Sequence, residues 1–427
     1  MEILFGAVIL FLVLVTFHEY GHYSVARFFK IKILKFSIGF GPDIFSWKNK
    51  EGINFSLSAV PFGGYVAFHD PADEHNYKNL SEEDKSLVLA NRPAYERALV
   101  TLAGPIFNFF LAFFLFTVVA FFLPKPSDIV SSSISTLDQE KIYRIISVND
   151  KTITSAQDFE ITLLNYSGFS GDISIDVYDY EAEEIQTIQE KVEQLSFPTD
   201  VSPSSYFSII PFPDFEPIIS EIKDGSLADI NGLKNGDKII SINGKRVPSR
   251  AYAMEKLQSK EASFEFTILR DGEEFPIFFR EKIKDQPFGF SLKPEGNDIN
   301  KAIEFGYNQT VFWIKNTFNF LFKIFTGGMG LDNLSGPVGI AKVAGDSFSS
   351  GFIPFMLLLA ILSISLGAFN LLPLPMLDGG QFLFIVIEEL KGSPIDMKLK
   401  YALFNLSYLM IIALFIFVVI NDILRLL

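Results

Sequence analysis

Four stretches of the chain are apolar over a length that can cross a bilayer, and the segments between them are not. The first runs from Ile3 to Phe17 and continues past a polar patch to Phe29. The second runs from Ala98 to Leu123, the third from Phe352 to Leu374, and the fourth from Tyr401 to about Ile420. A cleaved signal peptide is the rival reading of the first run, but Glu2 stands where a basic start is expected and no small-x-small cleavage site follows. Lys301 to Phe325 is also apolar and aromatic, yet Glu304, Asn308, Lys315 and Lys323 interrupt it. It reads as an amphipathic helix on the outer membrane surface in preference to a fifth span.

Basic residues mark one side of these runs. Arg27, Lys30, Lys32 and Lys35 follow the first, Arg92 and Arg97 precede the second, and Lys391, Lys398 and Lys400 separate the third from the fourth. The positive-inside rule assigns all three clusters to the cytoplasm, with Lys125 and Arg425 as exceptions. The N-terminus, the segment between the second and third runs, and the C-terminus then lie outside. A fifth span would put the C-terminus on the wrong side for this bias.

The connecting segments have patterns of their own. Asn54 to Phe68, NFSLSAVPFGGYVAF, reads as strand, turn and strand, a β-hairpin over 53–68 broken at Pro61-Phe-Gly-Gly. It is a surface hairpin or, given its apolar character, one dipped into the membrane and shielded by protein. Pro217 to Val247, PIISEIKDGSLADINGLKNGDKIISINGKRV, reads as a strand, a short helix from Ser226 to Ile230, a Gly232-Leu-Lys-Asn-Gly236-Asp237 loop, a strand and an Asn243-Gly244 hairpin turn. It resembles a PDZ domain. Tyr143 to Ile153, YRIISVNDKTI, repeats the end of this scheme, with Ala156 to Leu164 as the following helix. The expectation is a tandem of two PDZ-like α+β domains, the first diverged and lacking a clean G-L-x-x-G-D loop.

Composition narrows the classes further. Of 427 residues 49% are hydrophobic, 47 are Phe, and the net charge is −14, which argues against nucleic acid as a partner. Residues 124–350 carry 34 acids against 22 bases, so the acidity belongs to the middle of the chain. Cysteine is absent, which excludes disulfides and thiolate metal sites and leaves His, Asp and Glu as ligands.

His18-Glu-Tyr-Gly-His22 carries the chemistry. On a helix, positions i and i+4 share a face, so both imidazoles can bind one Zn²⁺, and Glu19 beside them can take a proton from water. A hydrogen-bonded polar patch between helices is the bland alternative. Three ionisable groups in an apolar helix, at about 2.5–3.5 kcal/mol each, need a stronger reason than that. A catalytic zinc takes a third protein ligand. His69 and His75 would reach only by a long fold-back, whereas Asp378 follows the third run in Asn370-Leu-Leu-Pro-Leu-Pro-Met-Leu-Asp378-Gly-Gly380. Glu19 lies ~25 Å along a helix from residue 2, towards the cytoplasmic face, and the third run ends at the same depth just before Asp378. Pro373 and Pro375 either break the third helix so that Asp378 turns inward or simply terminate it.

Taken together, HEYGH, FSIGFGP at 36–42, PFGGYV at 61–66, AGPIFN at 103–108, the PDZ-like pair, NLSGP at 333–337 and NLLPLPMLDGG resemble the site-2 protease family of intramembrane zinc metalloproteases over nearly the whole chain. The tandem PDZ units point to its bacterial branch. The resemblance implies one Zn²⁺ per chain held by His18, His22 and Asp378, Glu19 as general base, and substrate contacts from Asn370 and from the hairpin residues Gly63, Gly64 and Tyr65. It implies regulated intramembrane proteolysis in the inner membrane, on transmembrane segments of single-span proteins such as a pre-shortened anti-sigma factor, and on remnant signal peptides. The active site would lie towards the cytoplasm and the PDZ units in the periplasm, as a filter against bulky substrates or as a scaffold.

The expected fold is therefore a multi-pass α-helical membrane protein with about four transmembrane helices, a membrane-embedded β-hairpin and an inserted extracytoplasmic PDZ-like tandem. The expected divisions are 1–123 for the HEYGH helix, hairpin and second span, 124–213 and 214–297 for the two PDZ-like domains, 298–350 for the surface helix and linker, and 351–427 for the last two spans. The rivals are an inactive membrane adaptor working through its PDZ domains and a transporter, the latter lacking a chain of ionisable groups through the spans.

Overall fold

The computed structural model describes residues 2–69, 71, 77, 80–123, 130–134, 137, 141–193, 195, 197, 202–257, 263–279, 288–292, 298–327 and 336–426. Two compact units emerge, one formed by residues 1–120 with 302–427 and the other by 121–301.

The first unit begins with α1, Glu2–Phe28. Its 27 residues extend about 40 Å at 1.5 Å per residue, enough for a ~30 Å hydrocarbon layer. Two strands follow, β1 at Ile33–Lys48 and β2 at Asn54–Phe68, and then α2 at Ala94–Ala120. Windows at Phe5–Phe28, Ala94–Ala120, Phe352–Asn370 and Met397–Leu424 are long and apolar enough to cross a membrane. Leu10 and Leu14 of the first, Leu111 and Phe116 of the second, and Leu359 and Ile364 of the third bury one another in a common core. Gly21 lets α1 and α2 approach closely, since a Cβ there would lie 2.5 Å from the Ala103 carbonyl oxygen.

Residues 54–68 run as two arms, as expected, but β1 lies between the arms and pairs with each, in place of the arms pairing with each other. Both arms of β2 pair with β1: Phe36 faces Val66 on one side and Phe55 on the other. The second half of β1 returns to the first arm, with Ser46 facing Ser56 and Trp47 facing Phe55. The chain reverses at two places: at Asn49–Ile53, where Asn49 Oδ1 accepts from the Glu51 and Ile53 amides at 3.0 and 2.9 Å, and again between Val60 and Gly64. Pro61 has no N–H for a ladder, and Gly39 and Gly41, with φ of 92° and 88°, bend β1 so that it can serve both arms. The consequence is positional: among the described residues 64–68 pairs on one side only, which makes it an edge.

The second unit contains two modules. The first has a sheet in the order β7-β6-β4-β3-β8, formed by β3 at Val130–Ile134, β4 at Tyr143–Val148, β6 at Gly171–Asp179, β7 at Glu184–Val192 and β8 at Ile209–Pro213, with the two-residue β5 at Lys151–Thr152 pairing β4. Helix α3, Ala156–Leu164, packs Phe159 and Leu163 against Ile145, Ile173 and Ile175. In the second module β9 at Ile219–Ile222 pairs with β14 at Phe290–Leu292. Beside them run β10 at Lys238–Ile242, β11 at Lys245–Arg246, β12 at Phe264–Arg270 and β13 at Glu273–Phe279. Helix α4, Arg250–Leu257, buries Tyr252 among Phe264, Phe266 and Ile268.

The two modules share an asparagine turn. Asn149-Asp150 and Asn243-Gly244 both turn with positive φ at two successive residues, as a two-residue hairpin requires. Asn149 Oδ1 accepts from the Ser174 amide at 2.8 Å, and Asn243 Oδ1 accepts from the Glu265 amide at 2.7 Å. The second module carries the Gly232–Asp237 loop, where Gly232 and Gly236 take φ of 78° and 92°. The Arg270 guanidinium closes it, donating to Asp237 through two nitrogens at 2.7 Å and to the Gly232 carbonyl at 2.8 Å. Asp237 is buried, so Arg270→Met leaves a buried charge without its partner and is expected to destabilise this module by about 3–5 kcal/mol. Limited proteolysis of the full chain in urea measures this; an unchanged midpoint contradicts it.

The chain returns to the first unit through α5, Ile299–Phe325, and continues with α6 at Pro337–Ser349, α7 at Phe352–Asn370, α8 at Asp378–Lys391 and α9 at Met397–Leu426. The expected linker in 298–350 thus contains a helix, α6. Its N-terminus is capped from α9, since Asp422 accepts from the Gly336 and Gly339 amides at 2.9 and 2.8 Å.

Candidate active site

His18 and His22 lie one turn apart on α1, and Asp378 opens α8. Their ligand atoms converge: His18 Nε2 lies 3.3 Å from His22 Nε2 and 3.3 Å from Asp378 Oδ2, and His22 Nε2 lies 3.5 Å from that same oxygen. Asp378 Oδ2 is buried without a hydrogen-bond donor among the described residues. In a tetrahedral site with bonds of about 2.0–2.1 Å, neighbouring ligand atoms lie ~3.3–3.4 Å apart. Two imidazoles and one carboxylate with this spacing can hold a zinc ion and leave a fourth position open.

The next layer of groups fixes the imidazoles in the form a metal needs. His22 Nδ1–H donates to the Val100 carbonyl at 2.8 Å, which leaves the Nε2 lone pair facing the other two ligand atoms. The Asn108 amide lies 3.1 Å from His18 Nδ1. With its nitrogen towards the ring, Asn108 Oδ1 is buried without a donor. With the amide turned over, Oδ1 accepts from His18 Nδ1–H and His18 Nε2 is freed as well. Ser363 holds α2 here by donating to the Asn108 carbonyl at 2.8 Å.

Gly104 is the floor of the site. A Cβ on it would lie 2.3 Å from His22 Nε2 and 2.7 Å from His18 Cε1. Gly104→Ala must therefore displace the imidazoles from their present positions. The expected loss of metal affinity is about 10–100-fold, the scale of support-shell changes, with unchanged helical circular dichroism. Competition with a chromogenic chelator measures it; native affinity in the variant contradicts it.

Asp378 reaches the site through a break. Helix α7 ends at Asn370, the chain passes Pro373 and Pro375 outside any helix, and α8 starts at Asp378. The prolines thus both end one helix and allow the turn inward. Gly379 and Gly380 lie against this passage, where a Cβ would meet the Leu371 and Leu374 carbonyl oxygens at 2.2 and 2.1 Å.

The trio opens into a cavity of about 560 Å³, shared with Glu19, Tyr65, Asn370 and His69. The Glu19 carboxylate meets the Val66 backbone N–H. Gly64 gives room beside it, since a Cβ there would lie 2.7 Å from the Ser37 oxygen and 3.2 Å from Glu19 Cγ. Gly63 is turned the other way, against the Phe40 ring. Tyr65 stacks on Phe40 at 6.3 Å between ring centres and carries the Lys35 ammonium 5.6 Å from its own ring centre. Asn370 donates to the Leu366 carbonyl at 3.1 Å. His69 lines the cavity apart from the converging trio, and His75 lies outside the described residues. Sequence reasoning gave no role to Asn108, Val100 or Gly104, although AGPIFN contains two of them.

A family model described as peptidase family M50 matches residues 6–414. A regulator of sigma E protease from Haemophilus influenzae is 30% identical, covering 97% of each chain. A protein of Pasteurella multocida named as a candidate zinc metalloprotease is 31% identical, covering 98% of each. The regulator of sigma-E protease RseP of Escherichia coli is 28% identical, covering 97% of this chain and 96% of its own.

Proposed function

We infer the function from the premise that this chain belongs to peptidase family M50 and is a metalloprotease. The reading is a site-2 type zinc endopeptidase that cuts transmembrane segments. The observation that carries it is the convergence of His18, His22 and Asp378, with Glu19 beside them, among helices apolar enough to span a membrane.

In this reading the trio holds one zinc ion per chain, which supplies a Lewis acid able to acidify water and polarise a carbonyl. Glu19 accepts the proton of the attacking water and returns it to the leaving amine. Backbone pairing with the 64–68 edge replaces the internal hydrogen bonds that a transmembrane helix loses when it unwinds for cleavage. Gly63 and Gly64 keep that edge close to the site, Tyr65 contacts the substrate, and Asn370 orients its backbone. The surrounding apolar helices exclude bulk water.

The substrates proposed are single-span proteins, including an anti-sigma factor already shortened outside the membrane, as the names of the sigma E relatives suggest, and remnant signal peptides. The location proposed is the inner membrane, with the site towards the cytoplasm and the 121–301 unit in the periplasm. The repeated asparagine turn supports two PDZ-like domains there, divided near residues 213 and 214, acting as a filter on substrate bulk. The amphipathic α5 lies on the outer surface. An inactive adaptor is the alternative, and a complete set of ligand and base residues weighs against it.

Metal removal tests the reading. A chelator is expected to abolish cleavage of a single-span substrate in detergent, and about one equivalent of zinc to restore it. Undiminished cleavage by protein shown to be metal-free contradicts it.

A further inference from the structure

The active-site cavity has a second, charged end. On α2, Gly104 lies beneath the imidazoles while Arg97, seven residues earlier, also lines the cavity, about 10 Å away along the helix. On α8, Asp378, Gln381, Ile385 and Glu388 line one face, and Glu388 lies ~15 Å from Asp378. The edge strand runs the same way, with Tyr65, Phe68 and His69 along the cavity and about 10 Å between the first two. Three walls thus lead from the ligand trio to one place.

That place is cationic. Arg97 Nη1 donates to Glu388 Oε2 at 3.1 Å, a single contact between partly buried groups. The Arg97 Nε–H is buried and has no acceptor among the described residues. Lys400 of α9 enters the same cavity with its ammonium 5.5 Å from the Phe384 ring centre, and no carboxylate among the described residues pairs with it. Arg97, Lys400 and Glu388 all line the cavity, and the arginine uses a fraction of its donors. A carboxylate brought here can take Nε–H and a second guanidinium N–H together, a geometry stronger than the existing single bond.

We propose that Arg97 and Lys400 form an anion subsite at this end of the cavity, which receives a carboxylate of the substrate or product. The proposal rests on the protease reading and deepens it. An extended peptide covers 10 Å in about three residues. The carboxylate is then an acidic side chain about three positions from the scissile bond, or the new C-terminal carboxylate as the product leaves along the edge strand. Glu388 is the internal competitor that holds Arg97 in place when the subsite is empty.

The test reads binding of fluorescent peptides to the full-length Glu19→Gln protein in detergent, by anisotropy. One arm compares Glu with Gln at the third position from the cut; the other compares a product peptide ending in a carboxylate with its amide. The acidic member of at least one pair is expected to bind about tenfold tighter, and the arm that shows it identifies the source. Arg97→Gln is expected to remove that preference. Glu388→Gln, which leaves the arginine intact, is expected to increase it and guards against a merely misfolded arginine variant. Equal binding within both pairs, or tighter binding of a Lys-bearing peptide, overturns the proposal. Cleavage by wild type is scored separately: a chain that cleaves without the preference fails this inference alone, and one that shows the preference but never cleaves fails the protease reading alone.

Discussion

Glu19→Gln is expected to reduce proteolysis by about 10³–10⁴-fold or more while bound zinc is unchanged. General acid–base catalysis contributes up to about 10⁴-fold in enzymes. Here the same group both takes a proton and returns it, so both halves of the reaction lose their carrier. Glutamine preserves the shape that fits between Gly64 and the imidazoles and keeps an oxygen for the Val66 N–H. Glutamine cannot accept a proton at neutral pH. Glu19 is not among the three converging ligand atoms, so the metal is held without it. Initial cleavage rates with zinc measured on the same samples check this. A variant within tenfold of wild type removes Glu19 from the role of base.

Asp378→Ala is expected to remove the metal itself. Its Oδ2 completes the triangle with both Nε2 atoms at 3.3 and 3.5 Å, and the remaining pair of imidazoles lacks the third protein ligand that a catalytic zinc takes. Zinc affinity is expected to fall by more than ~100-fold, beyond the 10–100-fold seen when only supporting groups are lost, and activity to fall with it. Asp378 opens α8 at its first turn, where an acid is also favourable to the helix dipole, so Asp378→Asn separates the two effects. Asn keeps the size of the side chain and loses the anionic ligand. Inductively coupled plasma mass spectrometry of the purified variants reads the outcome; a full complement of zinc in Asp378→Ala contradicts the ligand assignment.

What the sequence made legible was local. The His18–His22 spacing is a property of one helical turn, and the apolar runs are properties of single helices, so both were readable without tertiary knowledge. The Asn-Gly turn and the following helix of the second module, and their copies at Asn149 and Ala156–Leu164, follow from short-range rules in the same way. Asp378 was reachable because a depth argument linked two distant segments. The pairing of β1 with both arms of β2 was not readable, since the residues of 33–48 are brought there by a turn at Asn49–Ile53 and by bends at Gly39 and Gly41 that depend on the partner strand. Helix α6 is hard to see in the sequence because its N-terminus is capped by Asp422 from the other end of the chain. Asn108, Gly104 and the Arg97–Glu388 pair share this character: each is defined by what a different helix places against it.

This chain is expected to hydrolyse peptide bonds within a membrane-spanning segment at a zinc held by His18, His22 and Asp378. Mass spectrometry of the fragments of a purified single-span substrate, incubated with wild type and with Glu19→Gln in parallel, tests it most directly. New termini are expected inside the apolar segment, produced by wild type and not by Glu19→Gln, with about one zinc in each protein. Cuts confined to the regions outside the apolar segment, or the same internal cuts from both proteins, would contradict it.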